Sequence, residues 1–435
     1  MGKFRVWAGM AWALAAATLV GCGGNNSSNT ANLRLVNATL THASITLLAN
    51  STSVIAATPL DTVSSYSGVS TGSPALQIND ATSGTVLATT APSLAGGQHY
   101  ALVAYESGGT LRTAVIGEDT AAPISGTAVL RLFNTATDAG AIDVYVTDPS
   151  VDISTLSSPT FSFAASSSTQ ASAFLSFAPG TYRVQVTGAG NTSDLRLDMG
   201  ASVTLASQQI DTVILTPTTG GTLVNGSVLI QQGAYAASRN TNSRVRLAAA
   251  VSGNALVTAT AGAPLGNIGL NVVAPSVGGY VVVPAGSAIA VGVNGNSVGS
   301  PVGALTAGSD NTLLVYGNPA TAVASIVVDD NHLPALSTNL KIRMLNGLTG
   351  ASPPPLTLEA NFAIVANNVL PGTASAYSVV AVATASTTSL AVYSPSSVAN
   401  LYPGGSGLTL PPNAVYTLFM LGDQGAPLPV LRKDR

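Results

Sequence analysis

The stretch Val129-Leu-Arg-Leu-Phe-Asn-Thr-Ala-Thr-Asp-Ala-Gly-Ala-Ile-Asp-Val-Tyr-Val146 decides the fold. Leu130 and Leu132 point one way with Arg131 between them. After Asp138-Ala139-Gly140, the residues Ile142, Val144 and Val146 alternate with Asp143 and Tyr145. Period-two alternation on both sides of an Asp/Gly turn predicts two half-buried strands of an antiparallel sheet. Shorter echoes of its opening recur at Leu33-Arg34-Leu35, Val245-Arg246-Leu247 and Ile342-Arg343-Met344.

The four arginines stand 97, 115 and 97 positions apart, and a second landmark follows each. These are Leu94-Ala-Gly-Gly-Gln-His-Tyr100, Leu205-Ala-Ser-Gln-Gln-Ile-Asp211, Leu305-Thr-Ala-Gly-Ser-Asp-Asn311 and Leu410-Pro-Pro-Asn-Ala-Val-Tyr416, and each leads into an apolar run. Two landmarks in the same order, four times, indicate a tandem array. Between them lie short runs rich in Val, Thr, Ile and Tyr, broken by Gly, Pro, Ser and Asn. That pattern predicts an all-β chain of four tandem immunoglobulin-like antiparallel β-sandwich modules. The expected modules are 31–122, 127–236, 243–332 and 339–435, joined by short junctions that favour a semi-rigid rod. Leu94-to-Tyr100 and Leu410-to-Tyr416 resemble a tyrosine corner, with Asp211 and Asn311 at that position in the middle modules.

The opening of the second module, and more weakly that of the first, resembles the bacterial domain-of-unknown-function family 4397. Its pattern is a Leu/Val-Arg-Leu/Val strand, a His or Asn, then Asp-Val-Tyr-Val. Arg131, Asn134 and Asp143-Val144-Tyr145-Val146 carry the match. Ala249 replaces the polar residue in the third module, and neither the third nor the fourth shows an Asp-Val-Tyr strand. The resemblance covers about half the chain; it implies a fold and a cell-envelope setting, and no catalytic residues.

Composition narrows the function. Charged residues are 8% of the chain, against about 25% in an ordinary soluble protein, so the polar surface falls to Ser, Thr and Asn. Without Lys3 and Arg5 there remain 13 basic against 18 acidic side chains, a net charge of −5, which leaves no basic surface for nucleic acid. The one cysteine, Cys22, permits neither an internal disulfide nor a multi-cysteine metal site.

Lys3 and Arg5 precede an apolar run, Val6 to Val20, that is too short to span a bilayer and fits a signal peptide over 1–21. It ends Leu19-Val20-Gly21-Cys22, which resembles the lipobox of bacterial lipoproteins. The resemblance implies cleavage before Cys22 and its acylation, with two or more chains holding the protein at ~0.8 kcal/mol per buried CH₂. Residues 22–30 then form the lipidated cysteine and a flexible tether, and Gly23 favours the outer membrane of a Gram-negative envelope.

Several other motifs have plainer readings beside the functional one. Gly68-Val-Ser70-Thr-Gly72 matches the G-x-S-x-G elbow, but Pro74 and a strand-like run follow instead of a helix. His42, His99 and His332 are scattered singles without metal-ligand spacing. Asp329 and Asp330 at one junction, and Glu118 and Asp119 at another, are candidate calcium ligands set against a solvated junction. The repeated arginines read as structural, with stems covering a sheet and heads in water or paired.

The expectation is a non-enzymatic, lipid-anchored envelope protein acting as spacer, adhesin or binding module. It requires no cofactor beyond the covalent lipid on Cys22, and its partners are the membrane and a surface protein or glycan. The competing readings are an envelope serine hydrolase using Ser70 and a transmembrane β-barrel, the latter opposed by aromatics at only 5%.

Overall fold

The computed structural model describes residues 29–166, 168–261, 267–382, 387–395 and 399–435. Leu19, Val20, Gly21 and Cys22 lie outside the described residues. Within them the chain is all-β, arranged in eight separate sheets, with three short 3-10 turns and no closed barrel. The strands over Thr30–Gly117, Ala128–Ser238, Asn242–Asp329 and Asn339–Lys433 each contribute two of these sheets. We refer to these stretches as units one to four. A separate apolar cluster fills each, built around Leu33 and Leu102, Leu132 and Val213, Leu247 and Leu313, and Met344 and Leu418. This is sheet-on-sheet packing, in which only inward-facing side chains form the core.

The deciding stretch folds as two strands, Ala128–Asn134 and Ile142–Thr147, but they are not neighbours in one sheet. They belong to opposite sheets, so Leu130 and Leu132 meet Ile142 and Val144 across the core. The intervening Asp138-Ala139-Gly140 is a corner between layers, with Gly140 at φ 73°, and not a hairpin tip.

A second difference concerns strand direction. The first strand of every unit pairs in parallel with the strand that follows its second landmark. Arg34 stands opposite Ala101, Arg131 opposite Thr212, Arg246 opposite Thr312 and Arg343 opposite Thr417. The sheets are therefore mixed, and the body of each unit is the crossover that a parallel pair requires.

The landmarks now have a physical meaning. Leu94, Leu205, Leu305 and Leu410 are each buried in their unit's core. Three residues on, Gly97, Gln208, Gly308 and Asn413 all turn at positive φ, between 52° and 76°. Their N–H groups donate to the carbonyls of Thr30, Thr127, Asn242 and Asn339, pinning the turn to the start of the first strand. At the corner position the Tyr100 hydroxyl accepts the Ala95 N–H at 3.0 Å, whereas Tyr416 is buried in the fourth core.

The units do not simply follow one another through short junctions. Val36 and Val103 of unit one pack on Phe133 and Ile214 of unit two. Ala248 and Leu314 of unit three pack on Leu345 and Phe419 of unit four. These are equivalent positions, two residues after each arginine and after each arginine's opposite number. The outer face of every first-strand sheet is thus covered by a neighbouring unit, which corrects the expected rod joined end to end. It also explains why these strands are apolar on both faces: like parallel strands in general, they are buried on both sides.

Asp211 shows the constraint at one residue. It is fully buried, bonded by the Gln209 amide at 2.8 and 3.0 Å. Burial pushes its carboxyl up to about 6, with Gln209 opposing. The folded state therefore favours the protonated acid, and unit two loses stability as pH rises from the ordinary carboxylate range through about 6. Unit three carries Asn311 at the same position. Replacing Asp211 with Asn is expected to stabilise the protein by about 2 kcal/mol at pH 8 and to change little at pH 4. Urea denaturation of both proteins at the two pH values measures this.

Candidate functional site: the buried arginine joints

Alternation places each repeated arginine on the face of its strand that points away from the unit's own core. Because a neighbouring unit covers that face, the guanidinium heads are carried into the joint between units. Arg34, Arg246 and Arg343 are only 2–3% exposed, and Arg131 is half-buried. A buried guanidinium requires a full set of acceptors, because a charge removed from water and left unpaired is costly.

Units three and four supply that set reciprocally. Arg343 of unit four donates from Nη2 to Asp329 Oδ1 of unit three, from Nη1 to the Val328 carbonyl at 3.0 Å, and from Nε to Thr417 Oγ1 at 3.2 Å. Arg246 of unit three donates from Nη1 to Asp434 Oδ1 beyond the last strand of unit four, and from Nε to Thr312 Oγ1 at 2.9 Å. Its Nη2 also lies 3.6 Å from Asp329 Oδ2. Each head stacks on an aromatic ring, Tyr377 at 4.6 Å for Arg343 and Tyr280 at 4.6 Å for Arg246. The Tyr280 hydroxyl donates to Asp329 Oδ2 at 2.6 Å. Burial opposes the charge on Arg343, but Asp329 outweighs it and raises the guanidinium above its ordinary value.

Units one and two vary the plan: the acid that holds Arg34 belongs to its own unit, and the neighbour supplies only backbone carbonyls. Arg34 forms a two-pronged pair with Glu118 through Nε and Nη2, the Nε bond measuring 2.8 Å, and stacks on Tyr66. The Tyr66 hydroxyl donates to the same carboxylate at 2.7 Å, and Arg34 reaches the Gly233 and Ile230 carbonyls of unit two. Glu118, Asp329 and Asp434 stand at equivalent places, one residue after the partner of Tyr100, Asn311 and Tyr416 in their hairpins. In unit two that place falls to Gln231, whose amide bonds the Thr120 backbone instead. Arg131 is left with Thr212 Oγ1, the Gly117 carbonyl and the ring of Phe174. Burial lowers its guanidinium, with only the charge of Glu118 opposing.

A further charged cluster joins the two pairs of units. His332 Nδ1 lies 2.9 Å from Asp138 Oδ2, and its Nε2 lies 3.1 Å from the Thr219 carbonyl. Both ring nitrogens therefore face acceptors, a setting that only the doubly protonated imidazolium satisfies. Ser107 of unit one donates to the same Asp138 oxygen at 2.6 Å, and Arg435 donates to the Asp138 carbonyl. Burial disfavours the imidazolium, but the hydrogen bond and charge of Asp138 and the charge of Asp330 overcome burial and the opposing Lys341, raising His332 above its ordinary value. Burial likewise opposes ionisation of Asp138, yet His332 and Ser107 hold it below the usual carboxylate range. A cavity of about 370 Å³ opens beside this cluster, lined in part by Arg112, Asp330, Lys341 and Tyr377.

The residues singled out in the sequence are placed as follows. Ser70 is exposed at the end of the short strand Ser67–Ser70, and no helix follows it. The strands bearing Ser70 and His99 flank Thr30–Ala38 on opposite sides, a separation of roughly 10 Å at ~4.8 Å per strand. His99 Nδ1 instead lies 2.9 Å from Asp119. His42 stands between Asp80 and Glu106, at 3.2 and 3.4 Å. The four calcium candidates all have protein donors: Asp329 and Glu118 hold arginines, Asp330 holds Lys341 at 2.6 Å, and Asp119 holds His99 and Gln232. Among the described residues no group of three or more His, Cys, Asp or Glu gathers as metal ligands would.

The arrangement of unit one can be compared with known families. Residues 31–145 match the model of a domain of unknown function, DUF4397. The DUF4397 match begins in the first strand of unit one and ends at Tyr145 in the second strand of unit two. It therefore includes Arg34, Glu118 and Arg131, three participants in the first joint. The resemblance holds over this span, about a quarter of the chain and mostly unit one, whereas the sequence pattern placed it chiefly in the second module and over about half the chain; the family's description assigns it no activity. No curated protein matches the chain.

Two outcomes follow from the joints. Asp329→Ala leaves Arg343 and Arg246 without their shared acid and is expected to cost about 3–5 kcal/mol, while Arg343→Ala/Asp329→Ala costs less than the sum of the single losses. Denaturant melts of the three variants test this. At the second site, a histidine raised in the folded state adds stability below its unfolded value that disappears as pH rises through its folded value. Stability is therefore expected to fall as pH climbs past the ordinary imidazole range, and His332→Ala is expected to flatten that part of the profile. Melting temperature against pH for both proteins reads the difference.

Proposed function

We propose that the protein is a non-enzymatic, lipid-anchored component of the cell envelope that holds its sandwich units as one stiff body for binding at a surface. The DUF4397 match and the all-β, sheet-rich fold fit a non-enzymatic envelope protein. The observation that carries the reading is the investment of buried arginines in joints between units instead of in an open cleft. A flexible spacer has no need of such joints, whereas a binding body gains from loops held on a rigid scaffold. The Leu19-Val20-Gly21-Cys22 lipobox supplies the anchor, and a surface protein or glycan is the partner class.

Cys22→Ser in the full chain is expected to abolish labelling by a clickable palmitate analogue. Protease added to intact cells is expected to remove the units from the wild type. Palmitate labelling that persists without Cys22 would refute the anchor. Labelling of Ser70 by a fluorophosphonate probe would refute the non-enzymatic assignment.

A further inference from the structure

The cavity of about 370 Å³ beside His332 lies where units one, two and four meet the stretch that follows unit three. Arg112 reaches it from unit one, Thr137 and Asp138 from unit two, Lys341 from unit four, and His332 and Leu333 from the connecting stretch. Its volume falls within the range of roughly 300–1,000 Å³ typical of small-ligand sites.

Charge is unevenly matched there. Among the described residues the lining carries three cations, Arg112, Lys341 and the doubly protonated His332, against two acids, Asp138 and Asp330. Both acids are engaged. Asp138 accepts from His332, Ser107 and the Leu333 backbone. Asp330 accepts from the His332 N–H at 3.2 Å and from Lys341 Nζ at 2.6 Å. His332 is satisfied at both ring nitrogens, but Lys341 is not satisfied. It is only 7% exposed, and two of its three protons go to Asp330, at Oδ2 and at the backbone carbonyl 3.1 Å away. The Tyr377 ring, 5.0 Å from Nζ, favours the charge without accepting an ordinary hydrogen bond. Arg112 is exposed at the rim and has no hydrogen bond or ion pair with the described residues. The two ion pairs cancel, which leaves one guanidinium over.

The joint between units three and four provides the comparison. A cleft of about 450 Å³ lies at the same place, with Asn318, Val323, Thr349 and Gly350 where Ser107, Arg112, Thr137 and Asp138 line the first. Register fixes the correspondence. Arg34 faces Ala101 and Arg246 faces Thr312, and four residues on Tyr105 pairs with Arg112 and Tyr316 with Val323. Thr137 and Thr349 each stand six positions after the arginine of their first strand. Among the described residues no cation lines this second cleft, and Asp423 is its sole charge. The surplus cation therefore belongs to one place in the molecule and not to the repeated plan.

We propose that the cavity beside His332 binds an acidic sugar through its carboxylate. The planar fork of Arg112 matches the two carboxylate oxygens, and the remaining Lys341 proton adds a second charged contact. A single surplus cation suits a monoanion, whereas a phosphate dianion would leave net negative charge beside Asp138 and Asp330. The Thr110 and Thr137 hydroxyls and the Asn413 amide also line the cavity, and none of these side chains bonds to the described residues. Each can both donate and accept, as ring hydroxyls require. Leu333, Pro334 and Val379 supply an apolar wall for the C–H face of the ring. The inference rests on the reading of the protein as a binding body and narrows its glycan class to one that carries a carboxylate.

The test is isothermal titration of the full chain carrying Cys22→Ser, with sodium glucuronate as the probe. Glucuronate is expected to bind at one site, with no competition from glucose. Arg112→Gln is expected to weaken binding at least tenfold with melting temperature unchanged, since Arg112 holds no partner in the fold. No binding at millimolar glucuronate overturns the proposal, as does binding that Arg112→Gln leaves unchanged. So do competition by glucose, inorganic phosphate bound as tightly as glucuronate, and a triglutamate peptide bound more tightly. Palmitate labelling at Cys22 and serine labelling at Ser70 test the broader reading separately, so either reading can fail while the other stands.

Discussion

The structure depends on guanidinium groups placed where water cannot reach them. An arginine between two apolar residues of a strand must project from the opposite face of the sheet, and when that face is covered its charge is enclosed. The enclosure is tolerable only with acceptors at several nitrogens and an aromatic ring against the flat of the group. Units three and four supply a threonine from the adjacent strand, a carboxylate from the neighbouring unit, and a tyrosine. The alignment of units is thereby tied to the satisfaction of these charges. Sliding one unit against its neighbour would open the apolar contacts and strand the arginines together.

The two pairs of units are variations of this plan. In the pair with Asp329 and Asp434, each arginine has an acid on its neighbour. In the other pair, Glu118 serves Arg34, and Gln231 occupies the fourth acid's place. The first joint is correspondingly less charged, and its apolar contact includes Tyr105, Ile116 and Leu229. The polar and apolar contributions to the two joints are thus weighted differently on a common framework.

Much of the fold was legible because it is local and repeated. Strand alternation identified Leu130, Leu132, Ile142 and Val144 as inward-facing, and the recurrence of the Leu94-type landmark marked the four stretches. What escaped was which strands pair and what covers each outer face. Period two cannot distinguish a hairpin within one sheet from a corner between sheets, so Val129–Val146 reads the same either way. Arg131 between leucines likewise reads as a solvent-facing residue, since nothing nearby announces a neighbouring unit. One signal was present: Phe133, Val36 and Leu345 stand on the arginine's side of their strands, where a solvated face would carry polar residues. The acids Glu118 and Asp329 drew attention as metal ligands, but their arginine partners lie 84 and 14 positions away, beyond any local pattern.

The parallel pairing of Thr30–Ala38 with His99–Ser107 bears on how the molecule responds to tension. A pull on the amino-terminal end of the first strand acts along that strand's own axis. The ladder to its parallel neighbour spans Asn32 to Ala38, and those hydrogen bonds lie across the direction of pull. They resist together in shear instead of parting one after another like a zipper. Unit one is therefore built to resist a pull applied at the amino-terminal end of its first strand.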